Sequence, residues 1–332
     1  MRRNFSRRNF LKSVGVGAAA AGLAPYAPLI GSAPRKAAAQ DNASYRMAFI
    51  QFMPHTVPAA WSTGIEEVLT TQANISYELL DGQGRPDVQI GLMENLINQG
   101  VNAIFLQPVD SVALGPSIAA ARDAGIPVIT LNIDAVEPHA VHVEMNHYFG
   151  AVAIGQAMGE LMGGSGKVAI LNAPPGIIIR DQRTNGFLEG LAQFPDIQVV
   201  ADQSAEWDRR RAQEVLAAML AADPEITGVY GVNDSMALGA VDVAKSNGVL
   251  ENMVIFGNDG EIAALESIEA GELTGTQYTD VFQQGRFAAS IAASLITGGV
   301  PAGAFARQGR VLMPYTIVTA DNVGTIQPNQ RW

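Results

Sequence analysis

The feature that most restricts the fold is a regular alternation of short apolar runs with stretches of helical periodicity. MAFIQFM (47–53), ISYELL (75–80), AIFLQP (103–108) and PVITLN (127–132) occupy the first half. KVAILN (167–172), IQVVADQ (197–203), GVYGVN (228–233), MVIFGND (253–259) and LTGTQY (273–278) occupy the second. Runs this short and this apolar read as strands covered on both faces. Between them Val88, Leu92 and Leu96 recur at i, i+4 and Gly100 follows as a stop, which predicts a helix from Val88 to Gln99. Ala-Gly-Ile-Pro at 124–127 and Gly-Gly-Ser-Gly at 163–166 close helices ahead of strands in the same way. Strand alternating with helix means parallel sheets with helices on both faces. Four and then five such strands imply two similar lobes of the α/β class, with the chain crossing between them near Val143 to Asn146.

A parallel sheet of this kind offers a ligand crevice beyond the carboxyl ends of its strands. GVYGVNDSMALGA (228–240) shows why: an apolar run stops at Asn233-Asp234 and turns directly into a helix, with Asp234 or Ser235 expected at the N-cap. A side chain at that junction projects into the crevice, where the next helix presents free backbone N–H groups. Asn233 both donates and accepts, which suits a neutral hydroxylated ligand. The plain alternative is that Asn233-Asp234 only caps the helix.

The first residues read as an address. Ser6-Arg7-Arg8-Asn9-Phe10-Leu11-Lys12 precedes an Ala- and Gly-rich stretch to Ile30, and Ala37-Ala38-Ala39 offers a small-x-small cleavage site before Gln40. The order resembles the twin-arginine export signal, so residues 1–39 are expected to be a cleaved signal peptide. A membrane anchor is the rival, but repeated Ala and Gly and three prolines between Pro25 and Pro34 make a poor span. Trimming leaves 293 residues, more than a usual single domain, which again favours two. The trimmed segment holds seven basic residues and no acid, leaving 14 basic against 32 acidic residues, net −18. Such a balance argues against nucleic acid, whose binding is dominated by cationic contacts to phosphate. With no Cys there are no disulfides, thiolate metal sites or lipid-modified N-terminal Cys. A soluble exported chain without an anchor implies the periplasm.

Several catalytic and metal patterns fail. Gly163-Gly164-Ser165-Gly166-Lys167 resembles a phosphate loop, but Val168 stands where Ser or Thr would hold magnesium, and the glycines precede a strand. His139, His142 and His147 fall within nine residues, yet spacings of three and five spread over a crossover rather than one helix face, so no metal site is read there. Ser111 and Ser235 lack a Gly-x-Ser-x-Gly elbow, and no His follows His147 to complete a hydrolase triad in its usual order. No cofactor fingerprint is present, and no enzyme is expected.

What remains is a set of polar and aromatic residues at successive strand ends. PVITLN ending at Asn132, RTNGF (183–187), AEWD (205–208), VNDSMALGA (232–240), FGNDG (256–260) and LTGTQY (273–278) resemble, in order and from Tyr45 to about Asn322, the ribose-type periplasmic sugar-binding proteins. The resemblance implies the periplasmic binding protein type I fold, with two doubly wound parallel-sheet lobes joined by a three-strand hinge. The crossovers would lie near 143–146, 278–281 and 309–315. The lobes would then comprise 45–145 plus 279–310 and 146–278 plus 311–332. The resemblance further implies a monomer that captures a small neutral polyhydroxylated solute by hinge closure and delivers it to the permease of an ABC importer. By the same resemblance Arg183, Asn233 and Asp259 would form a polar ring, Asn132 would join them, and Trp207 would stack on the apolar side of a sugar ring. Taken singly, Trp207 could be a core side chain, Asp259 a helix cap and Arg183 a surface charge.

The chain departs from the family pattern in ways that bear on the ligand. Asn132-Ile133 replaces an Asp-Arg pair, and Pro54-His55-Thr56-Val57-Pro58 replaces an Asn and paired aromatics, with His55 or Trp61 as candidate substitutes. Thr279 aligns with the family glutamine, and Gln277 lies on the same strand face two residues earlier. A monosaccharide is the leading expectation, with a polyol, a deoxysugar or another small polar molecule as alternatives. An exported sugar-modifying enzyme and a ligand-presenting module for a membrane sensor are the rival readings from other classes.

Overall fold

A computed structural model describes residues 44–71, 74–298 and 309–332. The expected signal peptide and its cleavage site before Gln40 lie outside the described residues. Two six-stranded sheets are present, ordered β11-β5-β4-β3-β1-β2 and β12-β10-β9-β8-β6-β7. The first is built from β1 (Tyr45–Gln51), β2 (Ile75–Asp81), β3 (Ala103–Leu106), β4 (Val128–Leu131), β5 (Val141–Glu144) and β11 (Gly309–Leu312). The second contains β6 (Ser165–Asn172), β7 (Asp196–Ser204), β8 (Ile226–Gly231), β9 (Val254–Asp259), β10 (Gly275–Tyr278) and β12 (Thr316–Thr319). All pairings within them are parallel except β10 with β12.

Helix α1 (Thr56–Leu69), α2 (Pro86–Asn98), α3 (Gly115–Asp123) and α9 (Val281–Thr297) belong with the first sheet. Helix α4 (His147–Leu161), α5 (Ile178–Leu191), α6 (Arg209–Ala222), α7 (Asp234–Ser246) and α8 (Ile262–Glu269) belong with the second. The chain therefore passes between lobes at 145–146, 279–280 and 313–315. Val311 and Leu312, placed with the second lobe by sequence, pair instead with Val143 and Glu144 of β5. The β11–β12 segment lacks the long apolar runs that marked the other strands, so its exact crossing point had no local signal.

Each lobe carries a closely packed helix pair in which glycine replaces a side chain at the contact. A Cβ on Gly64 of α1 would sit 2.1 Å from the Phe282 carbonyl oxygen of α9, and one on Gly285 would sit 2.2 Å from that of Trp61. Gly155 of α4 and Gly190 of α5 interlock in the same way, against Phe187 and Val152 carbonyls. Such backbone approach excludes any larger residue. It fixes the helices that follow the first two lobe crossings, α4 and α9, against their neighbours α5 and α1, which contribute Ile179, Arg183, Val57 and Pro58 to the cavity between the lobes.

Candidate functional site

A cavity of about 310 Å³ opens between the lobes at the carboxyl ends of the strands. Its first-lobe wall is made by Phe52, Met53, His55, Val57 and Pro58 after β1, Gln107 after β3, and Asn132-Ile133 after β4, with Met145 at the crossing. The second-lobe wall carries Ile177, Ile179 and Arg183, then Trp207, Asn233, Asp259 and Glu261. Five of the residues read from the sequence as ligand contacts meet here: Asn132, Arg183, Trp207, Asn233 and Asp259. His55 joins them, exposed at the mouth.

Three others do not reach the cavity. Trp61 is fully buried within the first lobe, its ring edge-on to Phe49 and its Nε1–H donating to Gln284 Oε1 at 2.8 Å. Its helical spacing with Ile65 and Leu69 already marked a core face. Gln277 is buried with its side chain against Gly150 of α4, and Thr279 is buried beside Trp332, whose indole N–H donates to the Thr279 carbonyl at 3.1 Å. Both lie behind the wall.

Arg183 is nearly fully buried on α5, not a surface charge. Its Nη1 donates to the Val232 carbonyl at 2.6 Å, its Nη2 pairs with Asp259 Oδ1, and Nε and Nη2 both lie 3.2 Å from His147 Nδ1. His147 Nε2 in turn donates to Asn132 Oδ1 at 2.8 Å. These partners require the neutral tautomer with its proton on Nε2. Burial, reinforced by Arg183, holds His147 well below its ordinary pKa, which agrees. The relay Asn132–His147–Arg183–Asp259 thus links a first-lobe side chain to the charged pair of the second lobe across the crossing.

Asp259 is not a cap. Burial pushes its carboxyl up, against the opposing pull of Arg183. Asp234 holds the turn ahead of α8: its Oδ2 accepts from the Gly260 and Glu261 amides at 2.7 and 2.8 Å and its Oδ1 accepts from Thr276 Oγ1 at 2.6 Å. Burial, then Asp259, raises Asp234 to about 7 in spite of those donors. Glu261 is raised to about 8, first by burial and then by Asp234 and Asp259. The N-cap of α7 is Asn233 itself, not Asp234 or Ser235, because β8 ends at Gly231. Its Oδ1 accepts from Met236 N at 2.9 Å, leaving its amide to face the cavity and the Trp207 carbonyl at 3.5 Å.

The backbone is strained at the cavity. Among the described residues five non-glycines have positive φ, and three of them line it: Asn132 (63°), Trp207 (61°) and Asp259 (131°). Asn tolerates the left-handed region, but a bulky Trp does so only when its surroundings enforce it. Glu206 shares the strain at 58°. The strained pair Glu206-Trp207 directs the indole to the cavity, where the Arg183 guanidinium lies 6.0 Å from the ring centre.

Ile177 and Ile179 come from the apolar segment 174–179, which the sequence places facing the cleft, whereas Phe52, Met53, Gln107, Met145 and Glu261 carried no such expectation. Phe52 and Gln107 follow β1 and β3, so the strand-end rule applied elsewhere would have found them. Gln107 Oε1 accepts from Phe52 N at 3.2 Å, and buried Gln89 joins both strand ends by donating to the Gln51 and Gln107 carbonyls at 3.2 and 2.8 Å.

Two doubly wound lobes with a polar and aromatic cavity between their strand ends define a two-lobed solute-binding protein. The chain belongs to the family of periplasmic binding protein domains, whose model matches residues 49–299, a family of solute-binding proteins. A twin-arginine translocation signal matches residues 4–24, so the protein is exported to the periplasm. Among curated relatives, the xylitol-binding protein of Mycolicibacterium smegmatis is 34% identical over 60% of this chain, a match that spans 58% of that protein. The ribose import binding protein of Bacillus subtilis is 31% identical over 66% of this chain and 71% of its own length. A solved periplasmic solute-binding protein of an ABC transporter from Actinobacillus succinogenes, with bound D-allose, superposes with a TM-score of 0.77 at 26% identity, covering 85% of this chain and all of that one.

Proposed function

We propose that the protein captures a small neutral polyhydroxylated solute, a monosaccharide or a polyol, in the cavity between its lobes and presents the closed form to the permease of an ABC importer. The observation that carries this reading is the second-lobe wall. Arg183 and Asp259 supply a paired donor and acceptor, Asn233 adds an amide, and Trp207 offers an aromatic face beside them. Glu261, raised to about 8, keeps its proton at neutral pH, so the fixed charge of the wall is a single ion pair. A neutral ligand with several hydroxyls and one apolar face satisfies such a wall, whereas a free anion or cation would disturb the pair. The similar proteins named for xylitol and ribose, and the one holding D-allose, agree in ligand chemistry.

Capture proceeds by closure at the three crossings, which changes the angle between lobes without altering either sheet. The protein acts as a monomer and carries out no catalysis. A melting-temperature screen of the mature protein against pentoses, hexoses and polyols, xylitol, ribose and allose among them, tests the reading. One or a few of these solutes should raise the melting temperature in a concentration-dependent way. No shift with any of them would overturn the ligand class.

A further inference from the structure

The three histidines that cluster in sequence separate in the structure. His147 joins the relay with Asn132 and Arg183, while His139 and His142 converge instead with Asp134. His139 Nε2 lies 3.4 Å and His142 Nδ1 3.8 Å from Asp134 Oδ1, and all three atoms fall within 4.8 Å of one another. Both rings are held by their other nitrogen. His139 Nδ1 is 2.8 Å from the Glu137 carbonyl, and His142 Nε2 is 2.9 Å from the Glu144 carboxylate.

Proton accounting shows what this arrangement lacks. If each outer nitrogen donates to its acceptor, both inner nitrogens present lone pairs, and they face a carboxylate. The donor shared between them is the Thr130 hydroxyl, 2.8 Å from each, and it has one hydrogen. Two buried imidazole lone pairs therefore share one proton, beside an Asp134 Oδ1 that also accepts from the Ala135 amide at 2.8 Å. A cation resolves the conflict. Histidine ligands of metals characteristically give their second N–H to a carboxylate or carbonyl, which is the arrangement of Glu144 and Glu137 here. In a tetrahedral site with bonds of about 2.0–2.1 Å, neighbouring donors stand about 3.3 Å apart, close to the 3.4 and 3.8 Å that separate the two imidazoles from Asp134 Oδ1.

We propose that Asp134, His139 and His142 form a binding site for a divalent first-row ion, Zn2+ fitting the donor set best. Asp134, partly exposed, gives the ion its way in, while both imidazoles are buried. The fourth position falls to the Thr130 hydroxyl or to water. Arg310 of β11, 3.2 Å from Asp134 Oδ2 and 3.6 Å from Glu144 Oε1, offsets part of the carboxylate charge and ties a third strand to the site. The ion would clamp the connection that begins at Asn132-Ile133 on the cavity wall, and it plays no part in ligand chemistry.

Mature protein stripped with a chelator and titrated calorimetrically with ZnCl2 should bind one equivalent. His142→Gln should weaken binding at least a hundredfold, and Glu144→Gln, which removes only the orienting carboxylate, by about ten- to a hundredfold. Because either variant could be impaired in folding, the parent protein loaded with Co2+ provides a second reading: its visible spectrum should be the intense one of four-coordinate cobalt. A stripped parent that takes up no zinc, equal affinity in folded His142→Gln, or a weak six-coordinate cobalt spectrum would overturn the site. A proton on one imidazole would then be what resolves the cluster.

Discussion

The two walls of the cavity have opposite chemistry. The second-lobe wall holds its three acidic and basic residues, Arg183, Asp259 and Glu261, and its strained aromatic residue, Trp207. Among the described residues the first-lobe wall has no Asp, Glu, Lys or Arg; it offers Phe52, Met53, Val57, Pro58 and Ile133, with His55, Gln107 and Asn132 as its polar groups. One wall is organised by hydrogen bonds before any ligand arrives, and the other is mainly a surface that excludes water. Under the proposed capture the difference amounts to a division of labour: the second lobe would orient the solute, and the first lobe would close over it and strengthen every polar contact by removing solvent.

Removing the centre of the organised wall should have the largest effect. Arg183→Met takes away the partner of buried Asp259 and the donor to His147 and Val232, so stability should fall by about 3–5 kcal/mol. Affinity should fall by about a hundredfold or more. Urea unfolding and calorimetry measure the two. A variant that binds as tightly as the parent would break the comparison at its strongest point. Trp207→Phe should have a smaller effect, because a stacking face remains, with affinity falling by no more than about tenfold. It should also abolish most of the ligand-induced change in tryptophan emission, since Trp61 and Trp332 are buried away from the cavity. On the opposite wall, Phe52→Ala removes apolar cover without leaving a charge unpaired. It should weaken binding by a few fold, about 1 kcal/mol. A loss as large as that of Arg183→Met would reverse the assignment of roles.

The last effect is electrostatic and is read as a pH dependence. Glu261 has an ordinary pKa of 4.5, raised to about 8 in the folded protein. Below about 4.5 both states hold the proton; between 4.5 and 8 the unfolded chain has released it while the folded chain keeps it. Stability contributed by this group therefore declines as pH rises through that window and is level above it. Urea unfolding at pH 5 and pH 8.5 should show a shallower decline for Glu261→Gln than for the parent. Identical slopes would mean that Glu261 titrates normally and that the second wall carries a further negative charge.

The same two walls differ in how far the sequence revealed them. The second wall was legible where its residues end short apolar runs that alternate cleanly with helices: Asn233 after GVYGV, Asp259 at the end of MVIFGND. The first wall was read less well. Of its candidates His55 and Asn132 line the cavity and Trp61 does not, while Phe52 and Gln107, at the ends of β1 and β3, carried no expectation. Trp61 points into the core because α1 buries the face that also carries Ile65 and Leu69. Gln277 sits on β10 against Gly150 of α4 and Thr279 follows the strand at the crossing, and which face of β10 meets the cavity depends on how the two lobes are joined. The relay from Asn132 through His147 to Arg183, and the convergence of Asp134 with His139 and His142, depend on contacts between separate segments that no local pattern encodes. Spacing treated the three histidines as one group; the turn of the chain at Asn146 sends His147 to a different place.

Small-angle scattering of the mature protein, with and without a saturating solute chosen by the melting screen, tests the central claim most directly. Capture between the two walls predicts a smaller radius of gyration with solute and an unchanged far-ultraviolet circular dichroism spectrum, because the lobes rotate about three crossings while each sheet stays intact. Superimposable scattering curves at proven saturation would contradict it.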